Sequence, residues 1–386
     1  MLLGLLFGGE FRLQWISEVT YQDPSTKTYL GSPSLVRTPS GHILATHDYF
    51  GPGSPRNHEG EECLTTVYRS EDDGKTWNQI THIVGAFWSS LFVHKDMVYL
   101  LGTSAHNGHI VIRRSSDEGN TWTHPSDSKS GLLFRGGPGQ IGPNYHCAPT
   151  PVVNIHGRLY RAFENIDPPV FASGFRSFVI SCDAGADLLD SGNWRKSNEL
   201  VYDQDADPED WGGSAGAGWL EGNIVETPSG EIWNILRTRT TPVVDRATII
   251  RVDEGGLRVS CSPFDYIEFP GGKTKFTIRH DSTTGRYWTL SNPCVNPVYH
   301  FQRNVLALFY SNDLRRWHYV KTLMDDDNGL SEPDAAQKIG YQYVDWQFDG
   351  DDIIYLVRTA YGGAHNFHDS NRITFGRVND FRDLPS

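Results

Sequence analysis

Ser115-Ser116-Asp117-Glu118-Gly119-Asn120-Thr121-Trp122 makes a self-contained turn, and its pattern returns at Ser70-Glu71-Asp72-Asp73-Gly74-Lys75-Thr76-Trp77. Both read S-x-D-x-G-x-T-W. Ser and Asp side chains bond back to nearby backbone amides, glycine takes a φ that other residues resist, and tryptophan enters the next strand as an apolar plug, so the run closes a β-hairpin. Two weaker echoes follow: Ser181-Cys182-Asp183-Ala184-Gly185 with Trp194 further on, and Ser311-Asn312-Asp313-Leu314 ending at Trp317. Two full copies and two degenerate ones, tens of residues apart, predict a repeat architecture.

The pattern resembles the Asp-box of sialidase-like β-propellers. That resemblance implies a hairpin between the third and fourth strands of a blade, away from the usual active face, and a structural role for each box. Strand pairs joined by a Gly or Asp turn give six units. Ser32 to Tyr49 turns at Thr38-Pro39-Ser40-Gly41, Ser89 to Gly102 at His94-Lys95-Asp96, and Ala148 to Phe163 at Ile155-His156-Gly157. Trp219 to Leu236 turns at Thr227-Pro228-Ser229-Gly230, Lys273 to Leu290 at Ser282-Thr283-Thr284-Gly285, and Tyr341 to Val357 at Phe348-Asp349-Gly350-Asp351. The unit starts lie 50 to 75 residues apart, the length of one four-stranded blade with its loops. The expected fold is therefore an all-β propeller, one domain over residues 1–386, with Trp15 to Tyr21 as a lone strand that completes the last blade and closes the ring.

The totals agree with many short strands: 39 Gly, 21 Pro and 12% aromatic residues in 386. A net charge of −13 argues against nucleic acid as the partner, while leaving room for an anionic substrate held by local arginines. No stretch approaches the ~18 apolar residues of a membrane span, so no membrane partner is expected. The five cysteines, Cys63, Cys147, Cys182, Cys261 and Cys294, lack metal-site spacing and read as mostly buried thiols. Residues 1–14 begin Met1-Leu2-Leu3-Gly4-Leu5-Leu6-Phe7, without a basic start or a small-residue cleavage site. They read as a secretory remnant or an N-terminal extension, and the protein as secreted or periplasmic. A monomer is expected. The acidic runs Asp203 to Asp210 and Asp325 to Asp327 read as solvated loops, with a structural calcium as the alternative; no cofactor is required.

In a propeller the tight turns and Asp-boxes share one face, so the long loops meet on the other. These are His47 to Cys63, Ser104 to His109, Asn144 to Cys147, Glu164 to Phe175, Arg237 to Val244, Ser291 to Arg303 and Arg358 to Arg372. They carry His47, His58, His106, His109, His146, His300, His365 and His368, eight of the fifteen histidines, and Arg237, Arg239, Arg358 and Arg372 at their edges. His365 and His368 with Asp369 lack a third metal ligand, so no metal site is assigned.

Ordinary glycoside hydrolysis needs two carboxylates flanking the bond. Asp48, Glu164, Glu221 and Asp345 lie near the channel, but no pair stands out. A sialidase needs three arginines and a tyrosine nucleophile helped by a glutamate. Glu221 and Arg237 stand roughly where sialidases place that glutamate and one arginine, yet the first unit lacks their Arg-Ile-Pro run, and Arg37 sits at the far end of its strand. Elimination from a uronate asks for an arginine fork to neutralise the carboxylate and for His or Tyr to move protons, residue types in which this face is rich.

Tyr29-Leu30-Gly31-Ser32-Pro33-Ser34, Thr46-His47-Asp48-Tyr49-Phe50-Gly51-Pro52, Glu221-Gly222-Asn223-Ile224-Val225-Glu226-Thr227-Pro228, Lys273-Thr274-Lys275-Phe276 and Ala364-His365-Asn366-Phe367-His368-Asp369-Ser370-Asn371-Arg372 extend the resemblance over nearly the whole chain. They are similar to a family of Asp-box propellers acting on arabinogalactan and gum arabic: L-rhamnose-α-1,4-D-glucuronate lyases and related α-L-rhamnosidases. The resemblance implies seven blades and an exo-lyase that releases terminal L-rhamnose from an acidic plant-type glycan. It implies His106 as the proton-transferring residue, assisted by Tyr145 or His146, with Arg161 or Arg237 as carboxylate clamp. Glu221, Arg358 and His365 complete the substrate-contacting set. Were the chain a hydrolase, His47 would be the candidate. The rival of another class is a carbohydrate-binding propeller without turnover.

Overall fold

The computed structural model describes residues 15–385 apart from 138–140, 207, 210–216, 242, 254, 263–264 and 326–328. The N-terminal stretch 1–14, Asp207 and Asp210 of the first acidic run and Asp326 and Asp327 of the second lie outside the described residues, and with them part of each place where a calcium was suggested.

Six antiparallel sheets follow one another along the chain. Blade 1 is Tyr29–Arg37, Ile43–Phe50, Leu64–Ser70 and Asn78–Val84; blade 2 is Phe87–His94, Met97–Thr103, Ile110–Ser115 and Leu132–Phe134. Blade 3 breaks its innermost strand into Tyr145–His146 and Val153–Ile155, then adds Arg158–Ile166, Phe175–Asp183 and Trp194–Lys196. Blade 4 is Gly218–Glu226, Ile232–Arg239, Arg246–Asp253 and an outer edge shared by Arg258–Ser260 and Tyr266–Glu268. Blade 5 is Thr277–Asp281, Arg286–Ser291, Leu306–Ser311 and His318–Met324. Blade 6 is Gly340–Asp349, Asp352–Ala360 and Arg372–Val378, and its fourth strand is Ser17–Tyr21 from the other end of the chain. The ring thus has six blades, as the count of strand pairs gives, and not the seven that the resemblance implies.

The boxes form the hairpins expected of them. Gly74 N donates to Ser70 Oγ (2.8 Å), and the Thr76 N–H and hydroxyl both donate to the Asp72 carboxylate (2.9 and 2.7 Å). The Ser115 box repeats these bonds at 2.8, 2.8 and 2.6 Å. Trp77 packs edge-on against Phe375 and donates Nε1–H to Ser17 Oγ (2.9 Å), so the first box also fastens the ring closure. In the degenerate box Leu314 takes the left-handed φ (63°) that glycine has elsewhere.

Burial follows the ring. Apolar clusters sit between neighbouring blades: Val36, Leu44 and Val67 of blade 1 against Leu91, Val98 and Leu100 of blade 2, and likewise around the circle to Leu356 and Phe375 against Leu30 and Leu35. Nearer the axis a belt of buried polar bonds ties every blade to the next. Ser34 Oγ donates to Asp345 Oδ2 (2.7 Å), Leu91 N to Ser34 Oγ (2.9 Å), Ser90 Oγ to Thr150 O (2.8 Å) and Glu221 N to Glu164 Oε1 (2.7 Å). Ile278 N donates to Asn223 Oδ1 (3.1 Å) and Lys275 Nζ to Val344 O (2.6 Å). Away from water such bonds are costly to break, so they fix the angular position of each innermost strand. The cysteines are all free thiols; Cys63, Cys147 and Cys182 are buried.

Candidate active site

Strand pairing slips once in the innermost strand of four blades: between Gly31 and Ser34, Phe87 and Ser90, Leu220 and Asn223, and Gln342 and Asp345. Inside each slip one residue is left-handed: Ser32 (φ 44°), Trp88 (50°), Glu221 (60°) and Tyr343 (54°). A bulge adds a residue to one strand and re-aims its side chain. All four line one cavity of about 380 Å³, within the usual size range of small-ligand sites. At Gly222, next to Glu221, a Cβ would lie 2.0 Å from Asn234 Oδ1, so that bulge requires glycine there.

On one side of the cavity Tyr343 Oη donates to Glu221 Oε1 (2.5 Å), and Arg237 Nη1 donates to Glu221 Oε2 (2.8 Å). Burial works to push the Glu221 carboxyl up, but Arg237, His146 and the Tyr343 hydroxyl hold it below its ordinary value. Burial, reinforced by Glu221, raises the Tyr343 phenol. The Arg358 guanidinium carbon lies 4.9 Å from the centre of the Tyr343 ring and 4.5 Å from that of Phe50. Its Nε bonds Ser370 Oγ (3.1 Å) and its Nη2 bonds His368 O, while Nη1 makes no hydrogen bond among the described residues. Arg303, bonded to Gln342, packs over Phe367 (5.2 Å) and stands 6.0 Å from the Tyr343 ring; burial lowers it to about 9.

Across the cavity Trp88 sits between two imidazoles, with ring centres 4.9 Å from His106 and 4.4 Å from His146. His146 Nδ1 bonds Glu164 Oε2 (2.8 Å), and Glu164, wholly buried, also accepts the Glu221 N–H (2.7 Å). A carboxylate only accepts, so the proton sits on Nδ1 and Nε2 is left for the cavity. Burial lowers His106, keeping it neutral near neutral pH. Asp48, at the end of the second strand of blade 1, accepts the Trp88 N–H (2.8 Å); burial outweighs that bond and pushes its carboxyl up to about 6.

Of the residues named from the sequence, His106, His146, Glu221 and Arg358 line this cavity. Arg237 stands behind Glu221, with Nη1 3.3 Å from Tyr343 Oη and Nε donating to Lys273 O (2.8 Å). The other four are elsewhere. Arg161 is fully buried in the axial belt, bonded to Thr150 Oγ1, Ser90 Oγ (3.1 Å) and Ala148 O, so it cannot clamp a ligand in the cavity. Tyr145 packs in the core between blades 2 and 3, its ring 5.7 Å from Phe178 and 5.3 Å from Lys196 Nζ. His47 is a core histidine, hydrogen-bonded to Asp48 O (3.0 Å) and stacked on Tyr68; burial lowers it to about 4. His365 is exposed and bonds Asp369 (2.6 Å), whereas His368, three residues on, faces the cavity. Asp369 is shared by both imidazoles, and among the described residues no three His, Cys, Asp or Glu side chains converge as a metal site.

Trp88, Tyr343, Arg303 and His368 were missed as site residues. A signal for the first two exists in hindsight: each bulge residue lies five or six positions before its innermost strand ends, at Arg37, His94, Glu226 and Asp349.

Neither a family model nor a curated protein matches the chain. Solved structures do. An α-L-arabinanase of Penicillium chrysogenum complexed with arabinobiose superposes with a TM-score of 0.55 at 14% identity, over 96% of this chain and 98% of that one. The GH93 α-L-arabinofuranosidase of Fusarium graminearum gives 0.59 at 13%, over 96% and 99%. An intramolecular trans-sialidase from Ruminococcus gnavus gives 0.55 at 14%, over 97% and 100%. At these identities the likeness shows a shared fold, the sialidase-like propeller, over nearly the full length of each chain.

Proposed function

We propose that this propeller is an exo-acting enzyme of acidic glycans, which releases terminal L-rhamnose from α-1,4-linked D-glucuronate by β-elimination. The observation that carries the reading is the pairing, across one small cavity, of Arg358 with two imidazoles, His106 and His146. Arg358 presents an open Nη1 to a uronate carboxylate, and neutralising that carboxylate makes the C5 proton acidic. His106, neutral by burial, takes that proton. The C–H electron pair becomes the C4–C5 double bond, the C4–O4 bond breaks, and rhamnose departs with O4 as His146, entering the step as the imidazolium with its charge balanced by Glu164, gives up the proton on Nε2 and returns to the Nδ1–H form. Glu164 holds the His146 ring for that transfer through Nδ1. The fold neighbours, by their names, act on arabinose polymers or sialosides, which supports glycan chemistry for this scaffold without choosing the reaction.

A second reading has its own support in the 2.5 Å bond from Tyr343 to Glu221. In a retaining hydrolase Tyr343 would attack the anomeric carbon as Glu221 takes its proton, and Asp48, raised to about 6, would protonate the leaving oxygen. One experiment separates the two. The protein is incubated with gum arabic while free rhamnose and the ultraviolet absorbance of the unsaturated uronate are followed together. Elimination yields both signals in equal amounts. Rhamnose without absorbance means hydrolysis and makes Tyr343 the reactive residue; neither signal leaves a sugar-binding propeller.

A further inference from the structure

From the cavity wall a ladder of rings and cations runs outward over blades 3 to 5. Phe171, in the loop after the second strand of blade 3, lines the cavity yet is 54% exposed. The Arg239 guanidinium, at the end of the second strand of blade 4, lies 5.3 Å from the Phe171 ring and 5.8 Å from that of Phe301 in blade 5. Lys273, itself buried, places Nζ 4.6 Å from the Phe301 ring and adds positive charge beneath this surface.

Arg239 has no hydrogen bond or ion pair among the described residues, although the chain carries a net charge of −13 and ion-pairs many of its other arginines. The charged and titratable groups that face Lys273 are Asp245, Cys294, Arg237 and Arg239. Asp245 spends its carboxylate on the Gly271 and Cys294 amides (2.9 and 3.2 Å). Local positive charge beside open aromatic rings, continuous with a cavity that takes an acidic sugar, matches a carboxylated pyranose. Its C–H face lies on a ring and its carboxylate meets the guanidinium fork.

We propose that Phe171, Arg239 and Phe301 form a second sugar subsite, which holds a further uronate of the glycan beyond the bond that is broken. The proposal rests on the reading of the cavity as the site for the terminal acidic disaccharide.

The test is calorimetric binding in a His106→Ala background, so that ligand is not consumed. The probes are two gum arabic oligosaccharides with the same rhamnosyl-glucuronate end, one carrying no other uronate and one carrying a second. The second uronate is expected to tighten binding about five- to tenfold, the scale of one exposed charge-assisted contact. Arg239→Gln removes that gain and leaves the mono-uronate affinity unchanged; Arg358→Gln weakens both ligands. No gain in the parent protein, or a gain that survives Arg239→Gln, overturns the subsite. If Arg358→Gln changes neither affinity while Arg239→Gln still removes the gain, the subsite stands and the cavity reading falls. If neither ligand binds, both fall.

Discussion

Replacing Glu164 by Gln tests the proton chemistry at its support. One carboxylate oxygen of Glu164 receives the Glu221 N–H at 2.7 Å and the other faces His146 Nδ1 at 2.8 Å, in a place closed to solvent. A glutamine must keep its carbonyl oxygen on the Glu221 amide. Turning it over would set two buried N–H donors against each other, at roughly 1–3 kcal/mol for each donor left unsatisfied. The amide nitrogen therefore points at Nδ1, which must then accept, and the imidazole proton moves to Nε2 on the cavity side. In that tautomer Nε2 can accept no proton and is too weak an acid to give one up. Freezing a catalytic histidine in the wrong tautomer costs up to about 10⁴ in kcat where a serine protease triad has been altered in this way. Positioned proton transfer in general accounts for about 10²–10⁴. A fall of about 10²–10⁴ in kcat, or about 3–5 kcal/mol of barrier, is expected. Both hydrogen bonds survive, so thermal unfolding should move little. Turnover on gum arabic by ultraviolet absorbance reads the rate, and nitrogen NMR of the imidazole reads the tautomer. A variant that keeps kcat within about threefold of wild type, far short of that expected fall, with the proton moved to Nε2, removes His146 from the reaction.

Three further outcomes are expected. Tyr343→Phe keeps the ring beside Arg358 but deletes the hydroxyl bonded to Glu221; elimination should slow by no more than about tenfold, whereas a loss beyond about 10³ transfers the chemistry to Tyr343. Asp48 is raised from 3.8 to about 6 by burial, so its folded form binds a proton that the unfolded chain has lost. The stability this gives is complete below pH 3.8 and is lost as pH rises through about 6, so wild type should fall relative to Asp48→Asn across that window by about 2–4 kcal/mol in denaturant titrations. A flat difference across the window refutes the burial of a charged Asp48. Gly74→Ala should destabilise more than Gly119→Ala in thermal melts. Both glycines are left-handed, but a Cβ at Gly74 meets the Phe375 ring at 2.1 Å while one at Gly119 meets only the end of Leu44 at 3.0 Å. The strained φ costs about 1 kcal/mol in each, and overlap adds about 1–3 at Gly74 alone; equal losses would show that Phe375 yields freely.

The fold was legible because its punctuation is local. Ser70 to Trp77 and Ser115 to Trp122 close their turns with bonds spanning four residues, so the pattern survives without knowledge of any partner strand. Ring closure by Ser17–Tyr21 was legible as well, since the last unit has no fourth strand of its own. Blade number follows from the same turns, and where resemblance and turn count disagreed, the turn count was the better guide.

The site was less legible, for a physical reason. Each blade is covered on both faces by its neighbours, so inner strands such as Tyr29–Arg37 and Arg158–Ile166 are buried almost without interruption and lose the alternation that tells one face from the other. Nothing in the sequence around Arg161 says that it points into the axial belt, and nothing around His47 says that its ring ends against Tyr68. The cavity residues Ser32, Trp88, Glu221 and Tyr343 depend instead on a one-residue slip between paired strands, which is a relation between two segments and not a property of either. The same slip explains how a closed ring can hold a reactive centre at all. Regular pleating would turn each of these positions toward a neighbouring blade or the axis. The left-handed residue, at a cost of about 1–3 kcal/mol, turns it toward the cavity instead, and the belt bonds just beyond, from Ser34, Ser90, Asn223 and Asp345, hold the strand in that register. Strain and belt are therefore one device, and cutting the belt should disorder the cavity before it unfolds the ring.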